Sequence, residues 1–193
     1  ASMNRVQLFH AIRAACDIAG VDRVIVVGSQ SILGSFSEDE LPPTATASRE
    51  VDVMPDVGDL ALMIELSDRI EGVGGELSPF EELHGFALDG VDSTTSVLPM
   101  GWRERLVVVC NEQTRDPVTG RQFTGLCLEP ADLCAAKLMA AREKDRRFVF
   151  ALLYAGLVDR DVLRARLEQM PPEHADHAAL VLQTHFGGPV PFS

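Results

Sequence analysis

The sequence predicts an α/β fold, more closely α+β: a mixed sheet with helices, and a helical C-terminal half. Three observations point there. An amphipathic helical pattern leads straight into the β-branched run Val24-Ile25-Val26-Val27. The middle of the chain is rich in short strand patterns separated by turn signals. From Glu129 onward the pattern becomes helical almost to the end. Strands and helices in that order make a layered sheet with helices gathered at one end.

Residues 4–19 read as the first helix. Leu8, Ile12, Ala15 and Ile18 recur at helical spacing, with Phe9 and Cys16 beside them, and Gly20 is a natural stop. The run 24–27 reads as a buried strand, ended by Gly28-Ser29. Residues 30–34 begin a second helix. Residues 36–49, polar and carrying Pro42 and Pro43, read as a mobile loop. Glu50-Val51-Asp52-Val53 alternates acid and apolar, the mark of a strand with one buried face. An amphipathic helix over 58–71 ends at Gly72, Gly74 and Gly75.

Strands are expected at 86–88, 94–98, 106–110 and 125–128, with turns at Asp89-Gly90, at 99–101 and at Asp116-Pro117. Pro130 starts a helix running to about Arg142, with Asp132 in its first turn, where an acid favours the helix dipole. Further helices are expected at 145–157, 159–169 and 173–185, and a frayed tail from Gly187. Residues 1–129 then form a core with the sheet and 130–193 a helical part packed on it, one compact unit.

Composition narrows the function classes. With 193 residues the chain can bury a sizeable core, and 46% hydrophobic content is ordinary for a globular protein. No apolar run approaches the roughly 18 residues needed to span a bilayer. The start has no signal-peptide pattern, Ala1-Ser2 reads as an addition ahead of Met3, and no membrane association is expected. Cys16, Cys110, Cys127 and Cys134 are widely spaced in apolar surroundings, which predicts buried, reduced thiols and a cytoplasmic protein. A net charge of -12 argues against a general nucleic-acid coat protein. It leaves room for the local basic patch at 142–147, for magnesium, or for a basic protein partner. The five histidines show no zinc-ligand spacing, and no P-loop, dinucleotide fingerprint or nucleophile elbow occurs.

Three features carry chemistry. Gly28-Ser29 follows a buried strand; it is either a plain turn or a place where backbone N–H groups and the Ser29 hydroxyl meet phosphate. Glu50 and Asp52 lie two apart, so both carboxylates share one strand face. They either face water on an edge strand or chelate a divalent cation. Lys137 interrupts an apolar helical stretch; it either snorkels to the surface or points at a phosphate. Arg142 and Lys144 follow it.

Strand, Gly-Ser, helix, then an acid-apolar-acid strand resembles the DNA polymerase β-like nucleotidyltransferase superfamily. Ser48-Arg-Glu50-Val-Asp52-Val resembles the Thr-x-Asp-Ile-Asp motif of the AbiEii and MenT group of toxin-type nucleotidyltransferases and of the related DUF6036-like proteins. Leu98-Pro-Met-Gly-Trp102-Arg-Glu-Arg105-Leu106 and Asp132-Leu-Cys-Ala-Ala-Lys137-Leu-Met-Ala-Ala-Arg142-Glu-Lys144-Asp145 are similar to two further elements of the DUF6036-like proteins. The resemblance covers roughly residues 22–155.

It implies a nucleotidyltransferase-like mixed sheet and transfer of an NMP from a nucleoside triphosphate to an acceptor hydroxyl. Gly28 and Ser29 would position the triphosphate, and Glu50 and Asp52 would bind Mg2+. Lys137 would neutralise developing charge, helped by Arg142 and Lys144. A third carboxylate is expected: Asp145 by the motif match, with Asp89 and Asp92 as rivals. The toxin group implies the 3′ end of tRNA as acceptor, with Arg160, Arg164 and Arg166 as further phosphate contacts, and a cognate antitoxin protein as partner. Transfer to a protein or small molecule stays open, as does a degenerate fold that binds nucleotide or protein without turnover. Glu50 departs from the usual Asp, and the stretch from Ser29 to Glu50 is longer than typical, consistent with an inserted 36–49 loop.

Overall fold

A computed structural model describes residues 2–187; Ala1 and most of the tail expected to fray fall outside the described residues. Helix α1, Arg5–Ala19, forms where the apolar spacing places it. Asn4 caps it: its side chain accepts from the Gln7 N–H at 2.9 Å, and the Gln7 side chain accepts from the Asn4 N–H at 3.1 Å. Gly20, at φ 69°, turns the chain out of the helix.

Strand β1, Arg23–Val26, is the centre of a five-stranded sheet. Strand β2, Glu50–Pro55, runs antiparallel to β1 on one side. Strand β5, Thr124–Cys127, runs parallel to it on the other. Strand β3, Ala87–Gly90, lies parallel to β2, and β4, Val107–Val109, antiparallel to β5. The sheet is therefore mixed. Helix α2, Leu60–Gly74, packs on β3, and a short helix α3, Pro79–His84, precedes that strand. The C-terminal half carries α4, Pro130–Ala140; α5, Glu143–Tyr154; α6, Arg160–Glu168; and α7, Ala175–Phe186. One cluster of buried apolar side chains extends from Met3 to Val181. Among the described residues, no helix is long and apolar enough to cross a membrane.

Several expectations give way. The helix expected from residue 30 is a single 3-10 segment, Ser29–Gly34. The 36–49 segment is packed rather than loose. Leu41, Ala45 and Thr46 are buried, and Pro43–Thr46 forms a 3-10 turn. The Met3 N–H donates to Thr46 O at 2.9 Å, and the buried Gln30 side chain donates to Ser48 O at 3.1 Å.

The strand expected at 94–98 does not form. Asp92 accepts from the Thr94 N–H at 2.8 Å and the Thr94 hydroxyl at 2.6 Å. Such local bonds compete with a sheet ladder. Asp89-Gly90, expected as a turn, is instead the end of β3. Gly90 is needed there because a Cβ would sit 1.9 Å from Ser67 O on α2. Helix α4 stops before Arg142, at Ala141, whose φ of 59° is left-handed. Of the four thiols, Cys110 is exposed, contrary to expectation. Burial pushes the other three, Cys16, Cys127 and Cys134, up to about 12.

Candidate active site

The site grows from the register of three strands. Glu50 and Asp52 share a face of β2, as period-two alternation requires. Asp52 pairs directly with Asp89 on parallel β3. Beyond the end of β1, the Val27 N–H donates to Asp52 O at 3.1 Å, which brings Gly28 against the Asp52 side chain. A Cβ on Gly28 would lie 1.4 Å from Asp52 Oδ2, so only glycine fits. Gly28 itself has an ordinary extended backbone, φ -87° and ψ -167°. The close approach expected of this glycine is to a carboxylate of the protein itself.

One oxygen each from Glu50, Asp52 and Asp89 lies within 4.8 Å of the other two. Of the rivals for third carboxylate, the structure brings Asp89 to this group. Asp92 caps its own turn, and Asp145 is held by cations described below. Burial pushes the Asp52 carboxyl above its ordinary range; the Glu50 charge adds to this, and a hydrogen bond with Asp89 works against it. Asp89 is raised as well, first by burial and also by the charges of Asp52 and Glu50; a hydrogen bond from Glu71 opposes this. Three crowded carboxylates, two of them partly desolvated, repel one another and gain from a shared cation. Their oxygen donors suit a hard ion such as Mg2+, Mn2+ or Ca2+.

Cations from the C-terminal half face this cluster. Lys137 on α4 is 12% exposed, with Nζ 3.3 Å from Asp145 Oδ1 and 4.5 Å from the Phe148 ring centroid. Arg142 grips the same carboxylate in a fork, Nε to Oδ2 at 2.7 Å and Nη2 to Oδ1 at 3.2 Å. Burial alone would raise the fully buried Asp145 carboxyl; the Arg142 bonds and the Lys137 charge outweigh it and hold the group below its ordinary range. Burial lowers the Lys137 ammonium, with Asp145 opposing. Lys137 therefore does not snorkel into open water.

Both groups line one cavity of about 760 Å³, within the range of small-molecule sites. Strands β2 and β3 and the turn after β1 contribute Gly28, Ser29, Glu50, Asp52 and Asp89. The α4–α5 segment contributes Lys137, Arg142, Lys144 and Asp145. All eight predicted site residues thus border one cavity. Ser48 borders it too, on the strap that Gln30 holds down. Sequence reasoning passed over Gln30, since a lone glutamine after a Gly-Ser carries no local signal.

The two further motifs meet elsewhere. Arg105 forms a fork with Asp132, Nε to Oδ2 at 2.8 Å and Nη2 to Oδ1 at 2.9 Å. Arg166 Nε lies 3.1 Å from Asp132 Oδ1. Asp132 lies in the first turn of α4, as expected, and is fully buried there, where it also ties α4 to α6 and to the Trp102–Arg105 turn. Arg166, expected to touch RNA phosphate, is used up in this cluster. Of the other two basic residues on α6, Arg160 donates to His185 O at 2.7 Å, and Arg164 lies 3.4 Å from Glu168.

A family model described as "Nucleotidyltransferase of unknown function (DUF6036)" matches residues 6–181. No curated protein and no solved structure matches the chain.

Proposed function

The chain belongs to the DUF6036 family of nucleotidyltransferases, and from that premise we propose a magnesium-dependent enzyme that moves an NMP from a nucleoside triphosphate to the 3′ hydroxyl of tRNA. One observation carries the proposal. The clustered carboxylates of Glu50, Asp52 and Asp89 and the cations Lys137, Arg142 and Lys144 line one cavity. A Mg·NTP complex needs both, carboxylate oxygens for the metal and cations for the polyphosphate charge.

In this reading Glu50, Asp52 and Asp89 are the metal ligands. A magnesium ion held by these three carboxylates would supply Lewis-acid activation and charge neutralisation. Gly28 leaves space for Asp52 to reach the site, and the Ser29 hydroxyl donates to a phosphate oxygen. Lys137, Arg142 and Lys144 neutralise the β- and γ-phosphates as charge develops. Asp145 acts through Lys137 and Arg142 by holding both in place. Its lowered basicity makes it a poor proton acceptor. The acceptor oxygen forms a bond to the α-phosphorus, the bond to the bridging oxygen breaks, and pyrophosphate leaves. The acceptor proton passes to Asp89, whose carboxyl burial raises above its ordinary range.

The tRNA acceptor rests on the resemblance to toxin-type enzymes and on the exposed arginines at the cavity rim: Arg142, with a side chain 61% exposed, and Arg147. The same resemblance makes the enzyme a toxin held in check by an antitoxin protein, whose basic surface would match the charge of -12.

The test incubates the purified chain with each α-labelled NTP, magnesium and total RNA. A labelled tRNA-sized band that disappears in Asp52→Ala is the expected result. Full transfer by Asp52→Ala would overturn the metal assignment. Magnesium-dependent NTP binding without any labelled product would favour a silent nucleotide-binding module.

A further inference from the structure

We propose that a second cavity, adjoining the first along β2, is the subsite for the terminal ribonucleoside of the acceptor, entered with a free 3′ hydroxyl. The inference rests on reading the first cavity as the nucleotide site. The second cavity has a volume of about 500 Å³ and shares Val27, Ser96 and Val97 with the first, so the two are neighbours. Glu50, Asp52 and Met54 occupy alternate positions of β2, and Met54 lines the second cavity. Two residues along a strand is about 7 Å, which places this cavity next to the metal-binding carboxylates.

Charge decides what belongs in each cavity. An acceptor hydroxyl attacks the α-phosphate from the side opposite the departing pyrophosphate. The leaving group belongs with Lys137, Arg142 and Lys144, all in the first cavity. The second holds one guanidinium, Arg103, which is 3.7 Å from Asp56, and the His174 imidazole, together with the carboxylates of Asp92 and Glu173. It is therefore the cation-poor side, suited to the entering group and hostile to a phosphate.

The lining also defines the shape of the occupant. The Arg103 guanidinium lies over the Trp102 ring, 4.6 Å from its centroid, and both border the cavity. A layered indole and guanidinium is a surface on which nucleic-acid bases stack. Ser93, Thr94 and Glu173 supply hydrogen-bonding groups for sugar hydroxyls. A neutral group, flat on one side and hydroxylated on the other, is a ribonucleoside without a 3′ phosphate.

Trp102 is the sole tryptophan of the chain, so its fluorescence reports on this cavity directly. The experiment titrates the full chain with a short single-stranded RNA ending in a 3′ hydroxyl, and with the same RNA ending in a 3′ phosphate. The expected result is saturable quenching by the first and at least tenfold weaker binding of the second. Trp102→Leu should raise the KM for the RNA about tenfold, from lost stacking, with the KM for NTP unchanged. Trp102→Phe, which keeps a ring, should restore most of it. Equal quenching by both RNAs, or no quenching by either, would overturn the subsite. Binding of Mg·NTP, followed by calorimetry on the same preparation, tests the first cavity separately. Its absence would sink the nucleotide reading while the quenching still decides the second cavity.

Discussion

Gly28→Ala perturbs the proposed metal site through a single methyl group. The added carbon would lie 1.4 Å from Asp52 Oδ2 and 2.4 Å from Cγ, where ordinary contact begins at 3.4 Å. The carboxylate must therefore retreat by about 2 Å. Metal ligation tolerates only about ±0.2 Å around its ideal distances, so Asp52 leaves the coordination sphere. Misplacement by about 1 Å already costs on the order of 100-fold in rate, and Gly28→Ala should lose at least that much in kcat. The fold should survive, since the methyl displaces a partly exposed side chain at the cavity rather than the core, and overpacking of this kind costs about 1–3 kcal/mol. The assay is labelled NMP transfer at saturating magnesium and NTP, with a thermal melt alongside. Gly72→Ala is the control, because a Cβ there meets nothing within 4 Å; it should retain full activity. A folded Gly28→Ala variant with kcat near the parent value would refute the claim that Asp52 acts from its observed position.

Magnesium should raise the melting temperature of the parent; Asp89→Asn and Asp52→Asn should each abolish that rise, whereas Asp92→Asn should leave it intact, and equal rises in all three would remove Asp89 from the site. Asp132→Ala leaves the Arg105 and Arg166 guanidinium groups facing each other without their buried carboxylate. It should cost about 3–5 kcal/mol in urea unfolding, and a loss below about 1 kcal/mol would show the cluster to be a surface pair in effect. His10 packs edge-on against His84, Phe80 and Phe86, and burial, with help from His84 and Arg13, pushes its pKa from 6.5 down to about 4. The unfolded chain then binds the extra proton first, so stability from neutral His10 is complete above pH 6.5 and is lost as pH falls toward about 4. With solvent screening of a partly exposed ring the loss is on the order of 1 kcal/mol. Chemical unfolding of the parent and His10→Phe across that window should show the difference, and identical pH profiles would contradict it.

What could be read from the sequence was whatever depends on near neighbours. Val24 to Val27 announce β1 by composition, and the spacing of Glu50 and Asp52 places two acids on one face by geometry alone. The Lys137 to Asp145 segment carries its spacing within two helices. Asp89 escaped a firm assignment because its place beside Asp52 depends on the parallel register of β2 and β3, which no local pattern records. Asp-Gly also looks like a turn, yet Gly90 is there to admit the backbone of α2. Thr94 to Leu98 has strand composition, but the Asp92 cap captures the chain first. The 36–49 segment reads as loose because its anchors, Met3 and Gln30, lie far away in sequence. Helix α3 is only six residues long, too short for periodicity to show.

The most direct test of the central claim is single-turnover transfer from α-labelled NTP as a function of magnesium, comparing the parent chain with Asp52→Asn and Lys137→Met. The account predicts saturable magnesium dependence in the parent, no transfer at any magnesium concentration in Asp52→Asn, and in Lys137→Met a large rate loss that keeps the parent's magnesium dependence. Transfer that proceeds equally without magnesium, or survives Asp52→Asn, would contradict it.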